Sequence, residues 1–402
     1  MALTTTRVLL GVAMLVAPTA LGGQALPDRP GARQPVAPSK PRIQPLAEAQ
    51  WTDVHRQLVA KYSSDRRPDN GLKTLLNLPE IVDGVMPFTV YLSEESSLQP
   101  RHRELLILRT AWLCGNRPIW STYAPRARAV GMSAAEIKRI AQGPDAGGWD
   151  AFEATLLRLA DQLYRNSSVT DATWRTLSAS YDLVHLMDAV ETVNHFTVLS
   201  MLYNSFGVQP DDQSRDRLPT DVSYRVAVPE REAPLAAARV VAPAGRGIAV
   251  GRTFALYPKL TERWGPRQAF VNRVSKLSSR HREMLILRMG WNCRSEYEWA
   301  QHVGRVGRAR EHGLDPLWIA EGPGAAGWDV TERLILRAVD ELFRDGMVAD
   351  ATWSALGDRF DTGLMMSAVL TASAYRAISL SLNTYGVQHE PEDERFPQLT
   401  TR

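Results

Sequence analysis

The chain of 402 residues contains two cysteines, Cys114 and Cys293. That is too few for a disulfide scaffold. Neither belongs to a C-x-x-C pair or to a zinc-ligand spacing. No glycine-rich phosphate loop is visible, and nothing in the sequence calls for an organic cofactor or a metal. Neither sign of charge dominates: 47 Lys and Arg stand against 44 Asp and Glu, a net of +3. No basic block with interleaved aromatics occurs, which speaks against nucleic-acid binding. The period-two alternation of half-buried strands is also missing. Beyond the first 21 residues no apolar run approaches the ~20 residues of a membrane span. What is present, 44% hydrophobic and 23% charged residues, is the composition of a globular protein. The length suits two or three domains.

The N-terminus is the exception to the missing apolar runs. One Arg, Arg7, precedes the apolar stretch from Val8 to Leu21, and the small residues Gly22, Gly23 and Ala25 follow. This is the layout of a secretory leader, expected over 1–25. It predicts a secreted or periplasmic protein with no membrane attachment after cleavage. Residues 26–41 carry five prolines and are expected to form a disordered or extended linker.

A long internal repeat organises the rest. "RHRELLILRTAWLCG" from Arg101 matches "RHREMLILRMGWNCR" from Arg280, a shift of 179 residues. Cys114 and Cys293, Trp149 and Trp328, "DATW" at Asp171 and Asp350, and "GVQ" at Gly207 and Gly386 keep that shift. The period is too long for a solenoid. It predicts two copies of one domain, 42–210 and 245–390, with a Pro- and charge-rich linker at 211–244 and a polar tail at 391–402. Each copy reads as helical. Leu105, Leu108 and Trp112 form an apolar stripe at helical spacing, "SAAE" from Ser133 is a capping box, and Thr170 is an N-cap. The fold class predicted is all-α, each copy a helical bundle.

The copies differ in one ionisable cluster. "CRSEYEWAQH" in the second copy holds Glu296, Glu298 and His302, where "CGNRPIWSTY" in the first has Arg117, Ile119 and Tyr123. Glu298 and His302 lie i, i+4 on one helix face. A carboxylate beside an imidazole suits proton transfer near neutral pH. The same spacing equally describes a surface ion pair. Glu283, 19 residues upstream, has Glu104 as its counterpart. On one straight helix it would lie about 28 Å from His302. The two meet only if the chain turns, and "NCRS" from Asn292 is a reasonable break. Two carboxylates and one imidazole are also a metal donor set, but no fourth ligand is evident. Cys114 and Cys293 read as small buried hydrophobes, or as partners in a disulfide between copies. His195 reads as a packing residue.

The order RHRE-x-LILR, Cys-containing turn, E-Y-E-W-x-x-H, G-W-D, D-E-L, D-A-T-W resembles the carboxymuconolactone decarboxylase-like family, whose fold is that of alkylhydroperoxidase D. The resemblance implies two tandem alkylhydroperoxidase D-like helical domains, related by a pseudo-two-fold axis. It implies acid–base chemistry at Glu283, Glu298 and His302 on a small carboxylated lactone or carbonyl compound, a lyase or isomerase reaction. Tyr297 and Arg282, with Glu104 and Tyr123 of the degenerate first copy, are then expected to bind substrate. The family's dithiol positions fall on Ser295 and Glu298, so a peroxidase of peroxiredoxin type would work without its usual cysteine pair. A non-catalytic binding or assembly module is the third reading. Single-domain members form rings, which implies a homo-oligomer built through helical faces.

Overall fold

The computed structural model describes residues 33–63, 67–226 and 228–399. The expected leader lies outside the described residues. Among these residues there is no strand. The first repeat contains α1 (Asp53–Tyr62), α2 (Asn70–Leu75), α3 (Pro79–Val90), α4 (Pro100–Leu113), α5 (Arg117–Ala129), α6 (Ala134–Gln142), α7 (Ala151–Asn166), α8 (Asp171–Ser178) and α9 (Leu183–Phe206). The second contains α10 (Ala249–Phe254), α11 (Pro258–Ala269), α12 (Ser279–Asn292), α13 (Glu296–Val303), α14 (Pro316–Glu321), α15 (Val330–Asp345), α16 (Asp350–Gly357) and α17 (Thr362–Tyr385). Pairs such as α4 and α12, α7 and α15, or α9 and α17 begin 179 residues apart, the shift of the sequence repeat.

Local chemistry explains these bounds. Asp150, Thr170, Asp182 and Asp361 each accept a hydrogen bond from a first-turn amide of α7, α8, α9 and α17. Gly207 and Gly386 end α9 and α17 with φ of 70° and 68°, a conformation that costs residues with a Cβ more. These two helices are apolar nearly all round, which suits helices enclosed by others. Among the described residues α17 alone is long and apolar enough to cross a membrane, and 83% of its most apolar window is buried inside the fold.

The last Arg of each "LILR" is a structural clamp. Arg109 of α4 donates to both carboxylate oxygens of Asp161 on α7 (2.7 and 2.9 Å) and to the carbonyls of Ile140 and Ala141 that end α6. Arg288 of α12 repeats this with Asp340 on α15 (2.7 and 3.0 Å) and the carbonyls of Ile319 and Ala320. The burial is tolerable because each guanidinium gains a bidentate partner and two carbonyl acceptors.

Two straps join the repeats reciprocally. Residues 33–41, the described part of the proline-rich segment, run extended against the first repeat. Gln34 donates to the Trp112 carbonyl (2.7 Å), and Gly115, at φ 60°, lies against the Pro35 carbonyl, where a Cβ would clash. Arg42 then reaches into the second repeat, to the Val348 carbonyl (2.7 Å) and Asp350 (3.2 Å). The linker mirrors it: Arg231 donates to the Cys293 carbonyl (2.8 Å), and Arg239 reaches into the first repeat, to the Val169 carbonyl (2.8 Å) and Asp171 (3.1 Å). Each arginine stacks over an equivalent ring, Trp353 or Trp174. An exchange in which each strap grips the other repeat is what a pseudo-two-fold arrangement produces. Between the repeats α9 packs along α17.

Candidate functional site

The site is built by the turn between α12 and α13. α12 ends at Asn292, Arg294 takes φ 52°, and the Ser295 amide returns to the Gly290 carbonyl (2.8 Å). The tight return reverses the chain, so α13 runs back along α12. Gly290 lies against α13, where even an added Cβ would meet the Glu298 Cβ and Cγ at an ordinary contact distance of 3.8 Å. Glu283, one helix back, now meets His302.

The three ionisable groups form one hydrogen-bonded row. His302 Nδ1 donates to Glu283 Oε2 (2.7 Å), and Nε2 faces Glu298 Oε1 (2.9 Å). All three are buried, with exposures of 2% for Glu283, 5% for Glu298 and 4% for His302. The surface ion pair left open by the i, i+4 spacing is therefore not what forms. Burial opposes a charge on His302, but its hydrogen bonds to Glu283 and Glu298 and their negative charges outweigh that, raising its pKa to about 10. For Glu283 burial pulls upward, while the hydrogen bond and charge of His302 prevail and lower its pKa. At neutral pH these shifts favour a carboxylate–imidazolium pair between Glu283 and His302. With its pKa raised in this way, His302 is poised to give up a proton.

Arg282 completes the charge balance, its Nε 3.3 Å from Glu283 Oε1. The guanidinium is half turned to solvent and is occupied by Glu283. The ring of Tyr375 from α17 packs edge-on against the imidazole, 5.0 Å between centroids. On the other side lies Gly307: a Cβ there would stand 2.1 Å from Glu283 Oε2 and 2.8 Å from His302 Nδ1. Only a glycine lets this backbone close over the row. Sequence reasoning missed both Tyr375 and Gly307. Gly307 lies among three glycines after His302, a signal that was available; Tyr375 comes from a helix 73 positions away and gave none.

The other expected substrate residues are not part of this row. Tyr297 points from α13 to the first turn of α10, its hydroxyl accepting from the Val250 amide (3.1 Å), and burial raises its pKa to about 12. Glu104 and Tyr123 stay in the first repeat. Glu104 is buried with Arg103 and Arg126 near Oε1 (3.5 and 3.7 Å), while Oε2, the oxygen that meets imidazole in the second repeat, has no hydrogen-bond partner among the described residues. Burial raises its pKa, against the pull of those arginines. Ile119 and Tyr123 line an open cleft of about 300 Å³ with Met86, Leu199, Tyr203 and Arg126. The position that holds the row in one repeat is thus a cleft in the other.

Thiol and metal chemistry find little support at these residues. Cys114 and Cys293 are both free and buried, and burial pushes each thiol up to about 11, far from a thiolate at neutral pH. Ser295 and Glu298 occupy the dithiol positions. Among the described residues no group of three or more His, Cys, Asp or Glu is arranged to hold a metal ion. A protonated imidazole also has no lone pair to offer one. His195 is more than a packing residue: it lies between the Thr89 hydroxyl (2.8 Å) and the Arg267 guanidinium (3.3 Å) at the junction of the repeats.

Comparison with known proteins agrees with the resemblance. The model of the carboxymuconolactone decarboxylase family matches residues 79–162, which run from α3 into α7 of the first repeat. No curated protein matches the chain. Among solved structures, an uncharacterized peroxidase-related protein from Silicibacter sp. TM1040 is similar at 14% identity and a TM-score of 0.37, over 46% of this chain and 97% of that one. The matched span contains Glu104 but not the buried row, which lies in the repeat of the same element order. Over residues 79–162 the chain is thus similar to the carboxymuconolactone decarboxylase family.

Proposed function

We propose that this protein is an acid–base enzyme acting on a small carboxylated lactone or β-keto compound, with its chemistry in the second repeat. The observation that carries the reading is His302, buried between two carboxyl groups at 2.7 and 2.9 Å, in one repeat only. A scaffold role gives no reason to bury an imidazolium between two acids. Desolvating three charges is costly, and an apolar trio of similar volume would serve packing as well. In the first repeat Ile119 and Tyr123 stand at two of these positions, beside the buried Glu104.

In this reading Glu283 holds Nδ1 and keeps the ring oriented, and Glu298 is displaced from Nε2 when substrate enters. In a decarboxylation the carbon–carboxylate bond breaks, carbon dioxide leaves, and the electron pair stays as an enolate. The Nε2 proton of His302 goes to that carbon, and solvent recharges the ring. In an isomerisation Glu298 takes a proton from one carbon and His302 returns one to another. Arg282 offsets the second carboxylate, so an anionic substrate does not meet a net negative site. Export through the expected leader belongs to the same proposal.

The test is a screen of carboxylated lactones and β-keto acids in deuterium oxide, followed by mass spectrometry. Deuterium in the product, lost in His302→Gln and Glu298→Gln, is the expected result. If both variants turn over every substrate as well as the wild type does, the reading falls.

A further inference from the structure

We infer that the segment 389–396 is a latch that holds the 304–313 loop shut over the buried row, so that ionic contacts between loop and latch control access to His302. This rests on the acid–base reading for its purpose but not for its geometry. Nothing can reach His302 while Gly307 lies against it and Tyr375 backs it. A substrate therefore enters only if one of these walls moves. Tyr375 belongs to the buried α17. The loop is the wall with less holding it.

The first repeat shows what the loop replaces. α5 runs on as far as Ala129, whereas α13 stops at Val303, one residue past His302. Gly304 and Gly313 bound the released segment, Gly313 at φ 71°. Arg308 sits at φ 48°, a left-handed conformation that a residue with a Cβ adopts at a cost. Val306 is 49% exposed. Ala309 is the loop's buried apolar contact.

Charge does the rest. Arg310 makes a bidentate pair with Glu394 (2.8 and 2.8 Å), and Arg305 pairs with Glu392 and approaches Asp393 (3.9 Å). Gln301 at the end of α13 donates to Asp393 (3.4 Å). The far end of the latch is fixed differently. The ring of Phe396 packs against Trp291 (4.9 Å) and Trp299 (5.4 Å), and its amide donates to Glu296 (3.2 Å). One end is thus anchored by aromatic burial, while the end over the loop is held by partly exposed ion pairs. Salt screens exposed pairs and leaves aromatic packing intact, so the latch releases at the loop first.

Hydrogen exchange of the full chain, read by mass spectrometry without substrate, tests this. In Glu392→Gln/Glu394→Gln, exchange over 304–313 is expected to rise about fivefold, the scale of losing two exposed ion pairs. The wild type at 1 M NaCl is expected to approach the variant. Amides of Leu285–Leu287 in α12 keep their protection in both. If the double variant loosens α12, Arg310→Gln alone serves the same comparison. Loop exchange that changes neither with the variant nor with salt overturns the latch. Raised exchange with no substrate turned over by any form leaves the latch standing and removes the acid–base reading.

Discussion

The two repeats share helices, clamps and straps, yet one ends in an open cleft and the other in a sealed row of charges. The difference begins with a few side chains. Where Ile119 and Tyr123 line the cleft, Glu298 and His302 draw in Glu283 and bury the set. Where α5 continues, α13 breaks at glycines and its continuation covers the row. A duplicated scaffold thus tolerates two opposite electrostatic solutions because its stability is supplied elsewhere, by the arginine clamps and the α9–α17 core.

The sharpest break in the comparison is chemical. Glu283→Gln or His302→Gln should lower any proton-transfer activity by ~10²–10⁴, whereas Glu104→Gln leaves it unchanged, as steady-state rates would record. Next come the clamps, where the repeats should behave alike. Asp161→Ala and Asp340→Ala each leave a buried guanidinium unpaired and are expected to cost about 3–5 kcal/mol in denaturant unfolding. The position of Gly307 corresponds to Arg128 on the exposed face of α5. Gly307→Ala should cost about 1–3 kcal/mol, since its Cβ would press on Glu283, while Arg128→Ala, which loses only its exposed pair with Asp216, stays within about 1 kcal/mol.

The smallest effect is one of pH. The folded-state pKa of His302, about 10, lies above the ~6.5 of an unfolded histidine. Its contribution to stability is therefore complete below about pH 6.5 and fades as pH rises toward 10. Glu283, held below its usual value, works the other way: its contribution is present above about pH 4.3 and fades as pH falls. The melting-temperature gap between wild type and His302→Gln should narrow between pH 6.5 and 10. Ile119→Glu with Tyr123→His sharpens the comparison from the other side. It offers Glu104 Oε2 its missing partner, and the introduced imidazole should titrate above 6.5 by NMR.

Much of this was legible in the chain. The helices follow from apolar periodicity and from caps such as Thr170 and Gly207, which act within a few residues. The turn at Asn292–Ser295 was readable because those residues compete for helical hydrogen bonds. Glu298 and His302 stood out by their absence from the first copy, whereas Glu283 has Glu104 as its counterpart there. Arg282 was placed beside substrate and instead neutralises Glu283. Tyr297, also expected to bind substrate, accepts from the first turn of α10. The partner of Arg282 is its neighbour in the chain, whereas that of Tyr297 comes from α10, which local pattern does not see. Residues 33–41 are ordered for the same reason, since their partners are the ends of α4 and α9.

The sequence by itself determined an all-helical chain, its 179-residue shift and the one place where acids and an imidazole gather. These depend on residues close in the chain, whose spacing fixes their faces and caps. The tertiary structure decided that His302 is buried between two carboxyl groups that raise its pKa, that Gly307 lies against it, and that residues 392–394 pair with the loop. A charge state depends on burial and on every charge nearby, and those come from α12, α13, α17 and the tail together.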